Sequence, residues 1–135
     1  MQSQYQKVRE HNARMGALAE YIAQRFKPIV HYSKRRSDGS IWRDKEGLIA
    51  LIKPHVDLAD SSISQHLAQM VQGYNPLYLP TVQSKPEVIT EKMRRLGIFI
   101  WFANKNKEYD REVEEVVTRV RQDFPNFIYP PEGFE

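Results

Sequence analysis

Gly97-Ile98-Phe99-Ile100-Trp101-Phe102-Ala103 is the stretch on which the fold turns. It is the longest apolar run in the chain, and over so few residues periodicity does not separate a buried strand from a buried helix. Its residues are β-branched and aromatic, which favours a strand. Gly97 reads as the stop of a preceding helix, because glycine accepts the left-handed conformation that ends helices. On that reading residues 98–103 are a strand buried on both faces.

Such a strand needs partners, and the sequence offers them upstream. Ile29-Val30-His31-Tyr32 and Ile41-Trp42 are β-favouring, and between them lies Lys34-Arg35-Arg36-Ser37-Asp38-Gly39-Ser40. Asp-Gly between two such runs predicts a hairpin, since a type I′ turn needs positive φ at both central residues. A hairpin over 29–43 plus the strand at 98–103 makes a three-stranded antiparallel sheet. The remaining segments have helical spacing, so the expected fold is α+β, mostly helical with this small sheet.

The helical segments are read from apolar spacing and end signals. Tyr5, Val8, Met15, Leu18, Ile22 and Phe26 predict a helix over Ser3–Lys27, ended by Pro28. Asp44 caps a helix to Lys53 with Leu48, Ile49, Leu51 and Ile52. Asp60 or Ser61 opens another that carries Ile63, Leu67, Met70 and Val71 and stops before Gly73. Residues 74–84 are an apolar loop. Ser84-Lys85-Pro86-Glu87 predicts a capping box for a helix with Val88, Ile89, Met93 and Leu96. Glu108–Asp123 is amphipathic, with Tyr109, Val113, Val116, Val117, Val120 and Phe124 on one face. The expected organisation is an N-terminal helix or arm (1–27), one domain (28–124) and an aromatic tail (125–135).

Composition bounds the function. A chain of 135 residues supports one domain with a core. It has no cysteine, which excludes disulfides, thiolate metal sites and a cysteine nucleophile. The polar start, Met1–Glu10, is unlike a secretory signal, and a seven-residue apolar run is too short to span a bilayer. A soluble, cytoplasmic protein is expected. The net charge is +3, but residues 1–43 hold nine basic and three acidic residues, while 44–135 hold eleven and fourteen. Such asymmetry suits a polyanion partner or self-association.

Residues 47–72 resemble the helix-turn-helix, or winged-helix-like, class of DNA-binding proteins. The run Val56-Asp57-Leu58-Ala59-Asp60-Ser61-Ser62-Ile63-Ser64-Gln65-His66-Leu67 carries the likeness to the turn and recognition helix, with a helix-turn-helix-like pair expected over 45–72. Asp57 stands where that class prefers glycine, Pro54 lies within the first helix, and the hairpin precedes the pair rather than following it as a wing. Apart from the resemblance, a recognition helix needs an apolar inner stripe and an outer face of hydrogen-bonding side chains. Ser61, Ser62, Ser64, Gln65 and Gln69 would supply the outer face and read base edges. Lys34, Arg35, Arg36, Arg43, Arg94 and Arg95 would hold the phosphate backbone. Duplex DNA bound by a homodimer is the expected partner and state. The alternative is a non-enzymatic homo-oligomeric adaptor, in which the basic hairpin and the acidic helix with Glu112, Glu114, Glu115 and Asp123 make protein contacts, an acidic protein partner included.

Chemistry of other kinds finds little support. His11, His31, His55 and His66 show no metal-binding helical spacing, and His55 with Asp57 and Asp60 is the nearest approach to a ligand cluster. Asp38 and Asp44 are read as turn and cap residues. Nucleophile, phosphate-loop and dinucleotide signatures do not occur. No catalytic residue, metal or cofactor is expected.

Overall fold

The computed structural model describes residues 3–26, 40–72, 78–105 and 107–135, with backbone alone for 40–45 and 71–72. Among these residues the fold is helical: α1 (Gln4–Arg25), α2 (Ser40–Ile52), α3 (Asp60–Gln72), α4 (Pro86–Ala103) and α5 (Asp110–Asp123), with one 3-10 turn at Lys53–His55. No strand occurs among them, so the α+β expectation with its three-stranded antiparallel sheet is overturned.

Both testable strands of that sheet are helix. Residues 98–103 are the last turns of α4, and Ile41-Trp42 lie in the first turn of α2. The first hairpin strand, 29–32, and the Asp38-Gly39 turn fall outside the described residues. Two β-favouring residues at 41–42 do not outweigh a thirteen-residue helical run, because propensities differ by only a few tenths of a kcal/mol each. For α4 the reason is burial. Leu96, Gly97, Ile98, Phe99 and Ile100 are all buried, and five consecutive residues at about 100° each go right round a helix. A helix apolar on every side belongs inside a fold.

Gly97 therefore does not end its helix. A Cβ built there would lie 2.9 Å from Pro131 Cγ and 3.6 Å from the Ile128 carbonyl oxygen. The glycine lets the C-terminal tail close on α4. That tail is docked by buried Phe127 and Pro131, by Arg121 Nε donating to the Phe127 carbonyl (3.1 Å), and by Phe134 meeting Trp101, Phe102 and His55 edge-on.

Local signals account for some helix ends and not for others. Ser3 caps α1 in a box with Gln6, each side chain bonding the other's backbone N–H at 3.1 Å. The capping box expected at Ser84 does not form. Lys85 is the N-cap without a side-chain bond, Pro86 takes the first position, and Ser84 Oγ accepts from Thr81 N–H at 2.9 Å instead. Asp44 is not a cap, because α2 starts at Ser40. Asn104, buried at the α4–α5 turn, accepts from Tyr109 N–H (2.7 Å) and donates to Asp110 Oδ1 (2.8 Å), doing for α5 what a capping side chain would.

α1 packs on α3 and α5, and α2 on α3 and α4. Met15, Leu18, Ile22 and Phe26 of α1 are buried, whereas Tyr5 is 69% exposed. The carboxyl half of α1 thus belongs to the core, while residues 3–14 have no buried side chain.

Gly97 yields a prediction. Gly97→Val should drive two methyl groups into Pro131, at a cost of about 2–3 kcal/mol. It should lower the urea midpoint and open residues 125–135 to proteolysis ahead of the helices. Equal or greater stability with a protected tail would contradict this packing.

Candidate functional site

α3 is held by one face and offers another. Ile63, Leu67 and Met70 are buried, while Ser61 and Gln65 are exposed and Ser62 and Ser64 partly so. Ser61, Ser64 and Gln65, at steps of three and one, share a strip on the outer side. That strip is uncharged. These side chains lie on the side of α3 away from its buried stripe.

Its surroundings differ from the expectation in three ways. The connector from α2 to α3 is seven residues, 53–59, including the 3-10 turn, where helix-turn-helix pairs use about three or four. Pro54 sits early in that turn and so ends α2 rather than kinking it. At the start of α3 the Asp60 carboxylate occupies the first turn and pairs with Lys53 Nζ at 2.6 Å. The positive end of the helix thus already faces an anion of its own chain.

The other sequence-predicted residues scatter. Lys34, Arg35 and Arg36 lie outside the described residues, and Arg43 is placed in α2 by its backbone only. Arg94 is exposed, donates to the His55 carbonyl (3.1 Å) and lies 3.6 Å from Glu91. His55 itself stacks edge-on against Phe134 at 4.7 Å, so its ring serves the tail. Arg95 and Gln69 turn away from the outer strip: Arg95 Nε and Gln69 Oε1 are buried.

These two join a cluster that the sequence did not announce. His66 of α3 is buried, stacks on Phe99 of α4 (centroids 5.1 Å, planes 17° apart) and meets Tyr78 at 5.9 Å. Gln69 is one turn along from His66. Lys92 and Arg95 precede Phe99 on the same side of α4, and Lys92 Nζ donates to the Leu79 carbonyl at 3.3 Å. Four buried polar atoms here, His66 Nδ1, Gln69 Oε1, the Tyr78 hydroxyl and Arg95 Nε, have no hydrogen-bond partner among the described residues. Arg95 Nε is 3.4 Å from Glu91 Oε1, an ion-pair distance without hydrogen-bond geometry. Burial, then the charges of Arg95 and Lys92, hold the His66 imidazole down to about 4. Burial raises the Tyr78 phenol, and burial with Arg95 lowers the Lys92 ammonium. The sequence signal was faint: His66 and Gln69 flank the apolar stripe of α3, but Lys92, Arg95 and Tyr78 come from remote segments.

The acidic face of α5 is partly engaged within the chain. Arg25 Nε of α1 pairs with Glu115 at 3.0 Å beneath Tyr21, and Arg119 pairs with Asp123 at 3.0 Å. Among the described residues no group of three or more His, Cys, Asp or Glu side chains converges, and no helix is long and apolar enough to cross a membrane. No protein-family model, curated protein or solved structure matches this chain.

His66 makes stability depend on pH. The folded state refuses a proton that the unfolded imidazole binds below about pH 6.5. Stability should be level above that pH and fall as pH drops from 6.5 towards 4, by on the order of 2–3 kcal/mol. Urea titrations at several pH values should show this slope in the native chain and a flatter one in His66→Phe. Parallel slopes would contradict a neutral buried imidazole.

Proposed function

We propose that this protein binds duplex DNA through the outer strip of α3, with α2 and α3 acting as a helix-turn-helix-like pair. The observation that carries the reading is the strip itself: Ser61, Ser64 and Gln65 are outward and uncharged on a helix whose opposite side is locked into the core. Glutamine suits adenine in the major groove, and serine bonds either base or phosphate. Electrostatic affinity would come from the basic residues of the first third of the chain, Lys34, Arg35 and Arg36 above all. Arg94 lies on α4 beside the connector and can add a phosphate contact. Gln69 and Arg95 are assigned elsewhere, because their buried atoms do not face the strip.

The same reading takes the chain as a small regulator in the cytoplasm and as a homodimer, since paired recognition helices double the phosphate contacts. The Arg25–Glu115 pair favours this over the adaptor alternative only in part, because it engages one carboxylate of the acidic helix inside the chain.

Fluorescence anisotropy with random duplex DNA at two salt concentrations tests the proposal. Micromolar binding that weakens steeply with salt is expected. Replacing Lys34, Arg35 and Arg36 by Ala should weaken all duplexes alike and flatten the salt slope by up to about three units. Gln65→Ala or Ser64→Ala should relax site preference and leave that slope nearly unchanged. Sedimentation of the same samples should show a dimer. No binding at low salt would overturn the DNA reading, and a monomer at high micromolar concentration the dimer.

A further inference from the structure

We propose that the cluster of buried His66 and Tyr78 with half-buried Gln69 and Arg95 is a binding site for a small oxyanion. It lies on the inner side of α3 and is separate from the outer strip. The residues come from three places, α3, the segment before α4, and α4, so the site exists only in the folded chain. The His66 ring ties the three together. His66 and Gln69 are three apart on α3, Lys92, Arg95 and Phe99 lie along one side of α4, and the His66 ring touches both Phe99 and Tyr78.

The chemistry follows from what is buried and unanswered. His66 is 6% exposed and Tyr78 1%, yet His66 Nδ1 and the Tyr78 hydroxyl lack hydrogen-bond partners among the described residues, as does Gln69 Oε1, and Arg95 Nε has only its ion pair with Glu91 at 3.4 Å. Buried polar groups are otherwise satisfied in nearly all folded proteins. A phenol O–H and a guanidinium N–H are donors, and an oxyanion accepts from both. The charge balance has the same sign: two guanidinium groups, of Arg94 and Arg95, share one carboxylate, Glu91. The neutral His66 ring adds one donor or one acceptor, depending on its tautomer, and Gln69 can present either end of its amide. Phe99 is stacked on the His66 ring and fixes its plane. Phosphate and carboxylate groups share this recognition chemistry.

The His66 ring reports occupancy directly. Imidazole carbon–proton NMR spectra of the full chain at pH 7 would be followed while sodium phosphate, sodium acetate or sodium chloride is added at matched ionic strength. A saturable shift of His66 with phosphate or acetate, and none with chloride, is expected. Saturation by phosphate alone assigns phosphoryl groups, and by acetate alone carboxylates. Tyr78→Phe and Arg95→Gln should each weaken the apparent Kd roughly ten- to hundredfold. Tyr78→Phe keeps the ring in the core, so it stays informative if Arg95→Gln fails to fold. No saturable shift with either anion overturns the proposal. Equal affinity in native chain and Tyr78→Phe overturns it too, and leaves the orphan atoms to buried water.

Discussion

Burial of α4 on every side between Leu96 and Ile100 is the constraint from which the rest of the structure follows. Two terms decide it. Phe99, Ile98 and Ile100 each gain about 1.5–3 kcal/mol from leaving water, in helix or strand alike. The backbone separates the two states. A helix pairs its own N–H and C=O groups, whereas a strand depends on neighbours, and each buried group left unpaired costs about 1–3 kcal/mol. That outweighs the few tenths of a kcal/mol by which isoleucine and the aromatics disfavour helix. With α4 fixed as a buried helix, α2 packs against it, His66 of α3 stacks on Phe99, and the tail closes over Gly97.

The legible parts of the sequence were those in which local chemistry and burial agree. The stripe Met15-Leu18-Ile22-Phe26, the valines of α5 and Ile63, Leu67 and Met70 of α3 are all at helical spacing and all buried. The misread parts were those in which tertiary contact decides. Gly97 looks like a terminator because the contact that explains it, Pro131, is more than thirty residues away. Ser84 looks like a cap because its bond to Thr81 is as local as the one expected. The residues 98–102 look like a strand because their propensities point one way and their surroundings the other.

The candidate site was half legible for a similar reason. The outer strip of α3 follows from one helix and its period, so Ser61, Ser64 and Gln65 could be placed from sequence. The polar cluster does not. Gln69 was grouped with the strip, yet its Oε1 is buried. Arg95 was counted as a surface cation, and its Nε is buried too. α3 thus has two chemically distinct sides only about 10 Å apart, given the width of a helix.

The central claim, that residues 96–103 continue α4 without a break, is tested most directly by backbone carbon chemical shifts across that segment. Cα shifts displaced downfield from random coil at every residue from Leu96 to Phe102, with slow amide exchange, are what this structure requires. Upfield Cα shifts beginning after Gly97 would mean a strand, and would remove the support for Phe99, for the polar cluster and for the docked tail together.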